Sequence, residues 1–406
     1  MGDVLFLCHR IPYPPDKGEK IRAWHMLCHL ARTRPVHLGC FLDDPADEAH
    51  VPALRALTAS LAVIGLDRRR AKWRTLARAR PGLPLSVGWF QDRRLAAWVT
   101  GTVASHDIRH VLAYSAAMAP YALTVPRPAT RLLDMVDVDS EKWAEYARNE
   151  RGPMRLVWAR EARTLLGFER RMVRDFDHSL FVSEPEARRF LALAPEAAGR
   201  VGWLENGVDA GRFSPAVTWP DPFAGERGAI VFTGTMDYRP NVDAVTWFVR
   251  EILPAIRARR PEARFHIVGA NPAAAVCALA AHDVTVHGRV ADMRPYLAHA
   301  ALAVAPLRIA RGIQNKVLEA MAMARPVLAT PQAFEGIRAV PGRDLLLAAD
   351  AGTMATQAVA VLDGGHAGLG AAARAAMQQS HDWERTLADL DTLLDLAPPQ
   401  SRRANA

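Results

Sequence analysis

Short apolar runs alternate along most of this chain with segments in which apolar residues recur at helical spacing. In the first half the runs at 4–8, 36–42, 61–66, 110–114 and 131–136 read as strands, and 18–31 reads as a helix. A charged segment of helical period extends from 141 to 175, followed by short strands at 179–182 and 201–204 around a helix at 184–193. The stretch 206–227 loses all periodicity and is rich in Gly, Pro and Asp, which marks a linker. The alternation then restarts, with strands at 229–233, 264–268, 284–287, 302–305, 326–329 and 345–347. Helices are expected at 242–259, 273–280, 314–324, 352–362, 371–379 and 382–394. Strands alternating with helices imply right-handed βαβ units and parallel sheets.

Two such arrays around a linker predict an α/β protein of two Rossmann-like domains facing each other across a cleft. The first covers 1–205 and the second 206–381, and the helix at 382–394 can pack back on the first. A chain of 406 residues suits two cores better than one. No apolar run is long enough for a membrane helix, and the apolar start at 4–8 lacks the basic flank and cleavage site of a signal peptide. Cys8, Cys28, Cys40 and Cys277 show no CxxC spacing, as expected of reduced cysteines in a cytoplasmic protein. The tail 398–406 reads as disordered.

Charge changes this picture in one place. The net charge is +8, and residues 1–200 hold all of the excess, with 31 Lys and Arg against 23 Asp and Glu. Between 68 and 94 nine basic residues (Arg68, Arg69, Arg70, Lys72, Arg74, Arg78, Arg80, Arg93, Arg94) face a single acid, Asp92. Trp73, Leu76, Leu83, Leu85, Trp89 and Phe90 are interleaved with them. That mixture suits a surface resting on an anionic bilayer, and equally a solvated Arg-rich face. No nucleic-acid motif accompanies the charge.

The segment richest in chemistry is Arg311-Gly312-Ile313-Gln314-Asn315-Lys316-Val317-Leu318-Glu319-Ala320-Met321-Ala322. A Gly-containing loop enters a helix whose first turn presents free N–H groups, an arrangement that holds a diphosphate through amides and dipole. Lys316 adds a point charge, and Glu319, about one turn further in, can accept hydrogen bonds from ribose hydroxyls. Gly312 permits close approach of backbone to ligand.

At this segment the sequence resembles the retaining glycosyltransferases of family 4, which share the two-Rossmann GT-B architecture. Glu319 matches the second Glu of their Glu-x7-Glu pattern, and Arg311 replaces the first, which in the family contacts the transferred sugar. Asn206-Gly207-Val208-Asp209 with Phe213 and Pro215, Phe232-Thr233-Gly234-Thr235-Met236, Val268-Gly269 and Val286-His287-Gly288-Arg289-Val290 match the same family in order. Leu133-Asp134-Met135-Val136-Asp137-Val138-Asp139-Ser140, with Asn241–Asp243, is similar to a narrower group, the sugar transferases of PEP-CTERM/exosortase exopolysaccharide systems.

The resemblance implies donor-binding residues at Gly234, Arg289, Arg311, Gly312, Asn315, Lys316, Val317, Leu318 and Glu319. It implies an acceptor-side loop at Lys17, Gly18 and Lys20, and a catalytic carboxylate at Asp137. Asp137 stands where many members carry a His. It can stabilise positive charge on the reacting sugar or take the acceptor's proton, and Asp137 and Asp139 also suit helix capping. His9, His25 and His287 lack ligand spacing and read as structural. The expected reaction is retaining hexosyl transfer, without metal or cofactor, from a UDP- or GDP-linked sugar to a lipid-linked or polysaccharide acceptor. The expected setting is exopolysaccharide biosynthesis at the inner membrane face. A GT-B sugar-nucleotide epimerase and a non-catalytic binder of nucleotide sugars or anionic polymers remain open alternatives.

Overall fold

The computed structural model describes residues 2–16, 18–77, 82–127, 129–310 and 312–395. Lys17, Arg78, Arg80, Arg311 and the tail 398–406 therefore lie outside the described residues. The chain forms two compact units, one running to Leu204 and regaining the chain from Leu387, the other Glu205–Thr386.

The first unit is built on β1 (Asp3–Cys8), β2 (Val36–Leu42), β3 (Ser60–Gly65), β4 (Ile108–Tyr114), β5 (Thr130–Val136), β6 (His178–Phe181) and β7 (Val201–Trp203). They form one parallel sheet in the order β3-β2-β1-β4-β5-β6-β7. The second unit carries β8 (Ala229–Thr233), β9 (Arg264–Val268), β10 (Val284–Gly288), β11 (Leu302–Ala305), β12 (Val327–Ala329) and β13 (Leu346–Leu347), ordered β10-β9-β8-β11-β12-β13. The same pattern thus occurs twice: a central strand opens each unit and the order reverses beside it. Ligands in such sheets sit beyond the carboxyl ends at that reversal, here β1/β4 and β8/β11. Every residue of β8, β11 and β12 is buried, as expected of strands covered on both faces.

Several helices differ from the periodicity. The segment 141–175 is two helices, Asp139–Asn149 and Met154–Asp175, because Pro153 cannot continue a helix and starts the second one instead. The helix expected at 242–259 begins at Arg239 and opens into a π-turn at Phe248–Ile252 before Leu253–Arg257. Pro254 lacks the N–H of a regular turn, and the wider turn accommodates that loss. The helix at 273–280 shortens to Ala274–Cys277. Within 68–94 the structure adds the helices Arg68–Ala77 and Leu85–Trp89, with Arg93–Ser105 starting at its end. Leu83 and Phe90 pack against the core of the unit, whereas Trp73 is 75% exposed.

The final helix, Trp383–Asp395, starts in the second unit and ends in the first. Within the second, Trp383 lies against Gly207, where an added Cβ would come within 2.8 Å of the indole. Within the first, Asp391 takes a hydrogen bond from His29 (2.8 Å), and Arg34 holds Asp395 with two bonds of 3.0 and 2.7 Å.

The crossing of two glycine turns sets the floor of the second unit. Gly234 ends β8 at φ 155° and Gly269 ends β9 at φ 154°, and a Cβ on Gly269 would lie 1.6 Å from the Gly234 carbonyl oxygen. Replacing Gly269 by Ala should destabilise by about 3 kcal/mol, through overpacking plus backbone strain. Gly364→Ala, equally at positive φ but in open space, should cost only about 1 kcal/mol. Calorimetric unfolding of both variants checks the difference; equal melting temperatures would contradict it.

Candidate functional site

In the second unit the helix Asn315–Ala322 follows Gly312, which is buried at φ 60° and lets the chain turn sharply into the helix. Its cap residue, Gln314, offers no side-chain bond to the first-turn amides and instead donates to the Gly312 carbonyl at 3.2 Å. Val317, Leu318, Ala320, Met321 and Ala322 anchor one face in the core. Val317 and Leu318 therefore hold the helix through their side chains. The amides of Asn315 and Lys316 head the helix, where its dipole favours an anion. Asn315 Oδ1 accepts from Asn206 Nδ2 at 3.2 Å, which ties the helix start to the first turn of the unit.

Lys316 is the centre of the arrangement. Its Nζ donates to Asn241 Oδ1 at 2.6 Å and sits 4.4 Å from the centroid of the Phe232 ring. Asn241 is buried, and its Nδ2 donates to the Thr235 carbonyl at 2.8 Å. A Cβ on Gly234 would meet Asn241 Nδ2 at 2.8 Å and Lys316 Nζ at 3.1 Å, so only glycine leaves room for the ammonium at the end of β8. Burial of the ammonium lowers the Lys316 pKa to about 7, and the Glu319 carboxylate pulls the other way. Burial raises Glu319 in turn to about 7, against the pull of Lys316 and Arg212. No hydrogen bond reaches the Glu319 carboxylate among the described residues. Arg289 follows β10 as an exposed arginine without an ion-pair partner among the described residues. Gly234, Gly312, Asn315, Lys316 and Glu319 thus gather around the helix start in the second unit, and Arg311 lies outside the described residues.

Sequence reasoning missed Asn241 as part of this group. A polar residue at a buried position of the helix Arg239–Trp247, shortly after the glycine turn, was the available signal. Two residues on, Asp243 takes bonds of 3.0 and 2.6 Å from Arg308, whose guanidinium lies over Trp247.

The first unit gathers carboxylates after β5. Asp134 is fully buried and accepts from Arg22 Nε at 2.9 Å, with Arg22 Nη2 at 2.8 Å. Arg22 also donates to the Leu204 carbonyl at 2.7 Å, joining the start of the unit to the end of its last strand. Next in the chain, Val136 stands at φ 66°, a left-handed conformation that β-branched residues rarely adopt. The strain, about 1–3 kcal/mol, turns Asp137 out of the strand line. Asp137 Oδ1 is buried without a hydrogen-bond partner among the described residues. Burial raises the Asp137 pKa to about 7, reinforced by Glu186 and Asp139. Glu186 and Glu169 secure the following helix start through Val138 N (3.0 Å) and Ser140 N (3.2 Å). Asp139 heads that helix.

The acceptor-side loop differs from expectation at Lys20. Its side chain is 2% exposed and its ammonium is held by Asp47 at 2.6 Å, because it falls on the inner face of the helix Gly18–Ala31. It is a structural ion pair and presents no charge to a ligand. Gly18 opens that helix in an exposed position, and Lys17 is outside the described residues. His9 stacks on Tyr114 with centroids 5.9 Å apart, and burial lowers its pKa to about 4. His287 shares a 3.0 Å hydrogen bond with His266. Near the start of the first sheet, Asp3, His37 and His106 bring potential ligand atoms within 4.8 Å of one another. His37 already uses both nitrogens there, on Ser60 Oγ (2.7 Å) and Asp3 Oδ2 (3.0 Å), which makes the group a clasp between strands.

Removing the Arg22 side chain should leave the buried Asp134 charge uncompensated. Arg22→Ala is expected to cost about 3–5 kcal/mol, and adding Asp134→Asn should recover part of that loss. Chemical denaturation of the single and double variants is the check; a double variant as unstable as the sum of the singles would contradict the pairing.

Comparisons with known proteins place this geometry. Residues 227–364 match the family of glycosyl transferases group 1. No curated protein matches the chain in sequence. In structure the chain is similar to the sucrose-phosphate synthase of Thermosynechococcus elongatus, with 17% identity over 97% of this chain and 98% of that one, at a TM-score of 0.68. It is similar to HepE of Anabaena in complex with UDP (15% identity, 97% and 100% covered, TM-score 0.65). A glycosyltransferase from Rickettsia africae gives 11% identity, 97% of both chains covered and a TM-score of 0.66. At these identities the likeness establishes the fold, the two-Rossmann GT-B architecture.

Proposed function

We propose, from the match of residues 227–364 to the group 1 glycosyl transferases, that this chain moves a sugar from a nucleoside diphosphate sugar to an acceptor with retention at the anomeric carbon. The observation that carries this is the Lys316 ammonium held by Asn241 against Gly234, at the start of a helix without a side-chain cap bond and beside the Glu319 carboxylate. A diphosphate there meets a point charge, backbone amides and a helix dipole, and these neutralise the charge that develops as it leaves. Glu319 takes the ribose hydroxyls, and Arg289, beyond β10, reaches toward the base. The donor is UDP- or GDP-linked. Uridine is favoured by the likeness to Anabaena HepE, whose structures include complexes with UDP and UDP-glucose. Arg311, in place of the usual first Glu, leaves the transferred hexose to be contacted by other groups.

Asp137 is the proposed catalytic carboxylate. Raised to about 7, it exchanges its proton near neutrality, as a group that takes the acceptor's proton must. The strained Val136 and the unpartnered Oδ1 support this over helix capping, because the cap position belongs to Val138. The reaction needs no metal in this scheme.

The acceptor is a lipid-linked or polysaccharide chain of exopolysaccharide synthesis, in keeping with the resemblance to the PEP-CTERM/exosortase-associated group. Cytoplasmic action at the inner membrane face is supported by the helix Arg68–Ala77. Arg68, Arg69, Arg70, Lys72 and Trp73 on it are exposed, which suits general attraction to an anionic bilayer. No helix among the described residues is long and apolar enough to cross a membrane.

Ligand-dependent thermal unfolding against UDP, GDP, ADP and their sugars tests the reading. A donor at about 100 times its dissociation constant should stabilise by about 2.7 kcal/mol, and Glu319→Ala should abolish the shift. Asp137→Asn should keep the shift while transfer falls by about 10²–10⁴. Stabilisation without any turnover would favour a non-catalytic binder, and turnover without acceptor would favour an epimerase.

A further inference from the structure

The helices Asp139–Asn149 and Met154–Asp175 form an antiparallel hairpin with a groove of about 630 Å³ along it. That is the size of a small-molecule site. Ala144, Ala159 and Ala162 give its floor small apolar side chains, and Arg148, Arg155 and Arg163 line it. Arg148 stands on one helix, Arg155 and Arg163 about two turns apart on the other, and all three border the same groove.

All three arginines are exposed, and none has a carboxylate within ion-pair distance among the described residues. Arg170, which also lines the groove, is held by Glu196 and leaves these three to face it. Glu150, the acid at the turn of the hairpin, does not neutralise them. It accepts from the backbone N–H groups of Arg151 (3.1 Å) and Gly152 (3.0 Å). At the same end the longer helix exposes Met154 (43%) and Leu156 (76%), two of the few large apolar side chains in solvent. The far end of the groove is lined by Ser140 and Glu141, on the helix that begins just after Asp137.

We infer that this groove binds the headgroup of a phosphate-bearing lipid, with Arg148, Arg155 and Arg163 on the phosphate and the chain lying toward Met154 and Leu156. Arginine forks match phosphate oxygens bidentately, and a phosphomonoester or diphosphate offers more of them than a diester does. The alanine floor accepts apolar chain without a polar cost. Charge complementarity and the apolar tip choose this occupant over a polysaccharide, which would want paired hydroxyl acceptors and aromatic platforms. Binding itself does not depend on the transferase reading; only the further role of the groove, seating a lipid phosphate acceptor beside Asp137, rests on it.

The test is sedimentation of the full chain with phosphatidylcholine vesicles carrying phosphatidic acid or, at equal surface charge, phosphatidylglycerol. Wild type should bind the phosphomonoester vesicles about tenfold more tightly than the diester ones. Arg148→Gln/Arg155→Gln/Arg163→Gln should lose that preference. Arg68→Gln/Arg69→Gln/Arg70→Gln, which removes as much charge, should weaken binding to both and keep the preference. Melting temperatures equal to wild type show that the variants fold.

A wild type without preference, or a groove variant that retains it, overturns the inference. So does binding of inorganic pyrophosphate, lost in the groove variant, without any vesicle preference, since the site would then take a free anion. The stabilisation by nucleotide sugars is read separately on the same proteins. Its absence would sink the transferase reading and leave the vesicle result standing.

Discussion

A lysine ammonium held away from water is the constraint on which the second unit depends. Lys316 donates to Asn241, lies over Phe232 and fits only because Gly234 has no side chain. The desolvation that lowers its pKa to about 7 makes the ammonium costly to charge, and an anion beside it would relieve that cost. The proposed diphosphate beside Nζ would supply a counter-charge, and burial would then strengthen the attraction instead of opposing ionisation. Glu319 completes the logic from the other side: its carboxylate has no hydrogen bond among the described residues and is raised to about 7, which ribose hydroxyl donors would reverse.

The fold exists to hold such groups at strand ends. Gly234 and Gly269 let the turns after β8 and β9 cross, and beside them Asn241 on the helix Arg239–Trp247 meets Lys316 on the helix Asn315–Ala322. The first unit repeats the topology with different chemistry. Arg22 ties Asp134 to Leu204, and that rigid pair supports the strained Val136 that sets Asp137. In both units a glycine turn or a backbone outlier sits next to an ionisable group whose pKa has moved toward neutrality. Strain and desolvation thus meet where chemistry is proposed, beside central strands that are buried throughout, such as β8 and β11.

Much of this was legible in the chain. The alternation of apolar runs marks all but the finest boundaries of the strands, because parallel strands covered on both faces must be continuously apolar. The family motif points directly to Lys316 and Glu319. Elements shaped by tertiary contacts were less legible. The helix Arg68–Ala77 has little amphipathic pattern, since charge covers most of its surface, and Leu83 and Phe90 looked like surface residues although they pack on the core. Lys20 looked like a loop charge; only the buried Asp47 shows why a lysine stands on the inner face of its helix. Asn241 carried no strong local signal, because its role depends on a lysine far away in sequence.

The most direct measurement of the central claim is proton exchange on binding a nucleotide sugar, whose diphosphate has no group titrating near neutrality. Calorimetric titration of the full chain in buffers of different ionisation enthalpy reads it. Free Lys316 is mostly neutral above pH 7, and a bound diphosphate raises its pKa, so binding at pH 8 should take up close to one proton. At pH 6, where free Glu319 is mostly protonated, engagement of the ribose should release a proton instead. Lys316→Met should abolish the uptake at pH 8. Binding at pH 8 with no proton uptake, or uptake unchanged in Lys316→Met, would contradict the assignment of Lys316 as the counter-charge of the diphosphate.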